Sequence, residues 1–496
     1  MIPLSYLLKD ISPIAANYAH VTITGLALDS RLVKSGDLFF ACQGTRQDGR
    51  AFILDAIHQG AQAILIDSDD LIQISYDIPV IFVQNLKEKL ADIAAHFYQY
   101  PANALQIIGV TGTNGKTSCA HFIAGLLHQF HVTCGVIGTL GNGLYGDIQP
   151  SNLTTPDAIS LQKIFADFKQ HHAKYVAMEV SSHSLDQGRV NHVPFEVGIF
   201  TNLTQDHLDY HGSMQAYGAA KRKLFDNIFL KQAVINLDDP WGDALITSLI
   251  PYKKIIAYSL ENKKTMVPTV FVEKSKFSQG KLQASIITPW GTGEFESALV
   301  GQFNLSNLLA VLTTLCLLDF PLSKVLAAIS QLQPIAGRMQ LLGGRNKAPL
   351  VVVDYSHTPD ALQKALNALR GQTQGRLFCV FGCGGERDKS KRPMMAQIAE
   401  LYADKVWVTD DNPRHEVSEQ IIEDIFQGFK IKTAVKRQPN RAKAIQDVIQ
   451  YASGQDCILI AGKGAEAYQQ INDQKIPFSD VEYVKFYLKE RFHEDF

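Results

Sequence analysis

The chain has 496 residues, too many for one hydrophobic core, and about three domains of ~100–200 residues each are expected. Its 46% hydrophobic and 19% charged content excludes a disordered or fibrous protein. A formal net charge of −2 gives no electrostatic ground for nucleic acid or a membrane surface as partner, so any anionic ligand must be held by local arginines and backbone amides.

The opening stretch MIPLSYLLKDISPI reaches Lys9 and Asp10 before a long apolar run develops, which argues against a secretory signal and for a cytoplasmic protein. Short apolar strands are expected at 37–41, 63–66 and 80–83, with helices near 51–59 and 86–98. Pro101 stops the second helix and closes a first domain at 1–98. From 105 the pattern becomes strand (105–111), glycine loop, helix (117–130). Further strands at 132–137, 175–180, 197–200 and 233–236 imply βαβ units and a parallel sheet with helices on both faces. Residues 260–300 alternate like antiparallel strands. The apolar run 308–318 falls short of the ~20 residues that span a bilayer and reads as a buried helix, so no membrane insertion is expected.

After a linker at 334–338 the alternation restarts, with strands at 350–354, 377–381, 405–409 and 457–461, as in a Rossmann-like doubly wound unit. The fold class read here is α/β in three domains: 1–98, a P-loop-type central domain at 99–335, and 336–496. Seven scattered cysteines suit reduced thiols, and Cys379-x3-Cys383 lacks a matching Cys/His pair for a metal.

Chemistry concentrates at strand ends. Gly112-Thr113-Asn114-Gly115-Lys116-Thr117 follows a strand and opens a helix, the context in which backbone N–H groups and a helix N-terminus cradle phosphates. Lys116 would reach the outer phosphates, Thr117 would ligate Mg²⁺, and Ser118 extends the nucleotide site. The strict phosphate-loop motif wants glycine at 110, where this chain has Val110. Glu179 closes the strand 175–180, where a carboxylate can ligate the same Mg²⁺; an ordinary strand-end glutamate is the alternative. His207 lies in the dense polar stretch TNLTQDHLDYHG at 201–212.

GTNGKT, MEVSSH (178–183) and TNLTQDHLDYHG, in this order, resemble the Mur ligases, ATP-dependent amide-bond ligases of peptidoglycan synthesis. The resemblance continues through YGAAK (217–221), GQFNLSN (301–307), Gly337-Arg338-Met339, DYSHTPD (354–360), GCGGERD (382–388), DNPR (411–414) and 462–466. It implies that Thr117 and Glu179 hold one Mg²⁺, that His207 lies near a second, and that Lys221 is carbamylated by CO2 into a carboxylate-like ligand. A basic helix face is the bland reading of Lys221 beside Arg222 and Lys223. Asn304, Arg338, Asp354 and His357 resemble ATP contacts. The implied reaction passes through an acyl phosphate, with Lys116, Lys221, Glu179 and His207 as its machinery.

The resemblance also implies substrates. Asp411-Asn412-Pro413-Arg414 is similar to the motif of members that add meso-diaminopimelate to UDP-N-acetylmuramoyl-L-alanyl-D-glutamate. A guanidinium at Arg414 can bind the distal carboxylate that lysine lacks. Arg387, Gly462 and Glu466 match other positions of this amino-acid site. The family usually reads Gly-Lys-Gly-His-Glu where this chain has Ala465 as the fourth residue. Leu28, Ser30, Thr45, Arg46 and Gln47 match UDP-sugar contacts, and Thr154, Thr155, Ser181, Gln187 and Arg189 match muramoyl-peptide contacts. Thr154-Thr155-Pro156 also reads simply as a helix N-terminus signal. A monomer is expected. The competing readings are the same ligation with L-lysine, a folate polyglutamate ligase, against which DNPR and the first domain argue, and a catalytically silent UDP-sugar-binding protein.

Overall fold

The computed structural model describes residues 1–44, 47–67, 76–278, 281–345 and 347–493. Two compact units are present: Met1–Gly109 with His131–Val197 and Lys223–Lys231, and Val110–Phe130 with Gly198–Arg222 and Gln232–Phe496.

The first unit contains a four-stranded parallel sheet, Gly25–Ala27, Asp37–Ala41, Ala63–Asp67 and Val80–Val83 in that order. Alternation of apolar residues along these strands feeds two cores. Leu38, Phe40, Ala63 and Leu65 pack with the helix Leu86–Phe97, while Phe39, Ala41, Ile64 and Ile66 pack with Ile53 and Ala56. The same unit holds an antiparallel meander, Cys134–Gly138, Gly141–Leu144 and Asp147–Gln149, whose first strand pairs in parallel with Tyr175–Glu179. Its first strand falls on the strand expected at 132–137, but Gly141–Leu144 and Asp147–Gln149 were not expected, because their glycines and polar residues carry no period-two signal.

In the second unit Gln232–Asn236, Lys254–Ser259 and Thr269–Ser278 pair in parallel, and two antiparallel hairpins then add Lys281–Thr288 and Gly291–Ser297. The alternating segment near 260–300 is therefore strand-forming and antiparallel, as its pattern indicated. The apolar helix Gln302–Leu317 is buried along most of its length. A six-stranded sheet follows, ordered Gln340–Gly343, Leu350–Asp354, Cys457–Ala461, Leu377–Phe381, Lys405–Val408 and Val435–Arg437. All of its pairings are parallel except the first. Separate apolar cores cover its two faces. The α/β class holds in both units.

The parallel strands matter for function because each ends beside a loop, and these loops carry the polar residues. Cys379 and Cys383 are buried free thiols, Cys383 lying 3.7 Å from the Met395 sulfur, so they serve packing. Among the described residues no helix is long and apolar enough to cross a membrane.

Candidate functional site

In the second unit, the loop 112–117 is shaped by the neighbouring stretch 201–204. The Thr113 amide donates to Asn202 O (2.9 Å), the Asn114 amide to Asn202 Oδ1 (2.9 Å), and Thr201 Oγ1 to Asn114 O (2.6 Å). Thr113 Oγ1 in turn donates to Thr204 O at 3.0 Å. Gly112 is required: a Cβ there would stand 1.9 Å from Thr201 Oγ1. Val110 departs from the simple motif for a plain reason. It lies inside the strand Gln106–Thr111, fully buried, where an apolar side chain fits better than glycine.

Lys116 Nζ donates to Gly112 O (2.9 Å) and Thr113 O (2.7 Å), and Thr117 Oγ1 accepts from Arg338 Nη2 at 2.9 Å. Ser118 is buried in the first turn of the helix Lys116–Gln129. Arg338 also stacks on the Tyr355 ring, 4.3 Å from its centroid. The Asp354 carboxylate receives the Met339 amide (2.8 Å) and the Ser356 hydroxyl, which fixes the backbone beside Arg338. Asn114 Nδ2 donates to Asp360 Oδ2 at 3.1 Å. Arg338, Asp354 and the phosphate loop are thus brought together. Asn304 is buried with its amide donating to Val300 O, 2.8 Å away in the turn that opens its own helix.

Lys221 is fully buried on the helix Met214–Asp226, donating to Gly112 O (2.7 Å) over the face of Tyr217. Burial first, and then the charge of Lys116, holds its amine well below the usual lysine range despite Asp206 nearby. The neutral amine is the form that reacts with CO2.

Asp206 escaped the sequence reading. Its buried carboxylate lies 3.3 Å from Lys391 Nζ, 3.4 Å from His207 Nε2 and 3.5 Å from His357 Nε2. Burial alone would raise its pKa, but Lys391 and the two imidazoles hold it well below the carboxylate range. The adjacency to His207 was a usable signal; Lys391, hidden in the basic run 389–392, gave none.

A second cluster occupies the ends of the six-stranded sheet. Arg414 has φ +53° and its Nη1 donates to Gly385 O at 2.6 Å. A Cβ at Gly384 would meet Arg414 Nη1 at 2.9 Å and Arg387 Cγ at 3.6 Å, so the two arginines share one neighbourhood. Burial and then repulsion from Arg387 lower the Arg414 pKa. Glu466 Oε2 receives Asn412 Nδ2 (2.9 Å) and Lys463 Nζ (2.8 Å). Gly462, at φ +116°, would place a Cβ 2.6 Å from Asp411 Oδ2, and its amide donates to Asp354 O (3.1 Å). Pro413 is buried, its carbonyl accepting the Glu416 amide at 3.1 Å.

In the first unit, a cavity of about 530 Å³ is lined by Leu28, Ser30, Gln47, Gln187 and Arg189 among others, with Arg31 and Lys87 as further cations. Thr45 and Arg46 lie outside the described residues. Arg189 Nη1 donates to Thr155 O (2.8 Å), and Thr155 Oγ1 to Glu179 O (2.8 Å). Ser181 N returns a bond to Thr155 Oγ1 at 3.1 Å. The Glu179 carboxylate accepts from the Thr139 amide (2.8 Å) and hydroxyl (3.2 Å), and that hydroxyl also meets Thr154 Oγ1 at 3.1 Å. One hydrogen-bonded chain therefore runs from the cavity wall to Glu179.

Three family models match: Mur ligase family, catalytic domain, over residues 22–98; Mur ligase middle domain over 110–315; and Mur ligase, glutamate ligase domain, over 337–464. A Pseudomonas aeruginosa protein, UDP-N-acetylmuramoyl-L-alanyl-D-glutamate--2,6-diaminopimelate ligase, is 49% identical over 93% of this chain and 94% of its own. The chain belongs to the Mur ligase family. A Coxiella burnetii ligase of the same name is 46% identical, the match covering 94% of this chain and 96% of that one. A solved Mur ligase structure, again a UDP-N-acetylmuramoyl-L-alanyl-D-glutamate--2,6-diaminopimelate ligase, is 34% identical with a TM-score of 0.70, covering 99% of this chain and 100% of that one.

Proposed function

We propose that this Mur ligase uses ATP to join meso-2,6-diaminopimelate to UDP-N-acetylmuramoyl-L-alanyl-D-glutamate, a cytoplasmic step of peptidoglycan precursor synthesis carried out by a monomer. The observation that carries this reading is the paired Arg387 and Arg414 beside the Glu466–Lys463–Asn412 network. An amino acid with a carboxylate and an ammonium at its distal end matches that pairing of charges. Lysine, which ends in an ammonium alone, would meet two repelling guanidiniums. The names of relatives 44–49% identical support the same substrates.

In this reading the substrate carboxylate attacks the γ-phosphorus of ATP to give an acyl phosphate and ADP, and the amine then displaces phosphate. Lys116 and the loop amides bind the phosphates, and Arg338 orients them. Residues of the first-unit cavity hold the nucleotide-sugar, with Gln187 and Arg189 toward its peptide. Residues 1–98, 99–335 and 336–496 form the three functional portions.

Taken singly, the donors that the resemblance names suit Mg²⁺ by their chemistry, on one condition. The Thr117 hydroxyl and Glu179 carboxylate are hard oxygen donors and His207 can stand near a second ion, but Lys221 fits only as a carbamate. Its buried amine, held well below the usual range, is suited to that modification. Bound Mg²⁺ would neutralise charge on the transferring phosphoryl group.

The deciding test is phosphate release with each substrate omitted in turn. Release should require ATP, the UDP-muramoyl dipeptide and diaminopimelate together. Equal turnover with L-lysine would refute the Arg414 argument, and no turnover with either amine would favour a silent UDP-sugar binder.

A further inference from the structure

Tyr468–Ile471 and Gln474–Pro477 form a short antiparallel hairpin whose residues are half-buried to exposed. It contributes little to the core, yet it is bonded repeatedly to the DNPR stretch. The Arg414 amide donates to Gln470 O (3.0 Å), and the Asn472 amide donates to Arg414 O (2.8 Å). Both backbone groups of Arg414 are therefore spent on the hairpin. The Gln470 amide donates to Asn412 Oδ1 at 2.9 Å, and the Gln469 side chain sends Nε2 to Asp411 O at 2.7 Å. At the hairpin turn, Asp473 lies 3.2 Å from His415, whose other ring nitrogen is 3.1 Å from Glu386 beside Arg387.

Arg414 needs such support. Its φ of +53° is a conformation that a side chain larger than asparagine adopts at a cost, and it persists only where neighbours impose it. We propose that this hairpin is a specificity-determining element of the amino-acid site, with Gln469 as the positioning residue that locks the DNPR backbone and so aims the Arg414 guanidinium. The inference rests on the reading of Arg414 as the partner of a distal carboxylate. It adds that discrimination between diaminopimelate and lysine depends on residues outside the motif that touches the substrate.

The test is Gln469→Ala in the full-length enzyme. Losing one hydrogen bond to the loop should raise KM for diaminopimelate about fivefold to tenfold, with KM for ATP and for the UDP-muramoyl dipeptide unchanged. Any residual rate with L-lysine should not fall, so the preference between the two amines narrows. Amide hydrogen exchange without substrates should show faster exchange at 411–416 in the variant and unchanged exchange in the strands of the six-stranded sheet. Unaltered diaminopimelate KM in a folded variant, or an equal loss toward all three substrates, overturns the proposal. If wild-type enzyme ignores diaminopimelate, the assignment of the amine fails instead. The exchange measurement then decides whether the hairpin holds Arg414: unchanged protection at 411–416 overturns that role.

Discussion

The phosphate loop and the amino-acid site lie in one unit but are braced in opposite ways. The loop 112–117 is held from one adjacent stretch, by the side chains of Thr201 and Asn202 and the main chain of Thr204, with Lys116 and Lys221 converging on the same carbonyl of Gly112. The amino-acid site is assembled from the ends of several strands and pinned largely by main-chain bonds to an exposed hairpin. A contiguous site braced by one neighbouring stretch is expected to report damage in the rate of every turnover. A dispersed site pinned from outside reports damage in the affinity of one substrate.

The sharpest break between them should come from Lys221→Ala, which removes a group at the phosphate loop. Turnover should fall on the order of 10³-fold, with partial rescue by added formate or acetate, measured as ADP release. Full activity would rule out the carbamate. Arg414→Ala should instead raise KM for diaminopimelate about 100-fold while leaving KM for ATP near its wild-type value; parallel rises would show that Arg414 is no amino-acid contact.

Asp206→Asn tests whether the two regions are mechanically joined. It should lower kcat about tenfold, and it leaves the buried Lys391 charge unpaired, at a cost of about 3 kcal/mol of stability by denaturant unfolding. The sign with pH follows from the depressed folded pKa of Asp206. Its stabilisation is present above the unfolded value of about 3.9 and is lost as pH falls through the lower folded value. The acid limb of the wild-type stability profile should be steeper than that of the variant. The smallest effect is expected for Ala465→His, which restores the residue the family usually carries: kcat/KM should change by less than about threefold. A larger gain would mean that the alanine limits this enzyme.

Much of the architecture was legible because buried parallel strands are written as apolar runs. The strands Asp37–Ala41, Val80–Val83, Leu350–Asp354, Leu377–Phe381 and Cys457–Ala461 fall where their patterns put them. Hairpins with polar, exposed strands carried no such signal, as YQQI at 468–471 illustrates. The phosphate loop was legible because it is local. Contacts between distant segments were not: Arg338 reaches Thr117 across 221 positions, and Lys391 reaches Asp206 across 185. Thr117 and Arg338 are each named from their motifs, but nothing in the sequence says that the two meet; Asp206 and Lys391 read, by themselves, as ordinary charged side chains.

The Asp206–Lys391 pair has a consequence for recombination. Asp206 precedes the six-stranded sheet in the chain, and Lys391 opens the helix Lys391–Tyr402 between two strands of that sheet, so the two halves of a buried ion pair would be inherited from different parents in any chimera joined near residue 338. A graft of a foreign C-terminal portion should tolerate mismatched surface loops more readily than a neutral residue at 391. A compatible parent must then supply a lysine at 391.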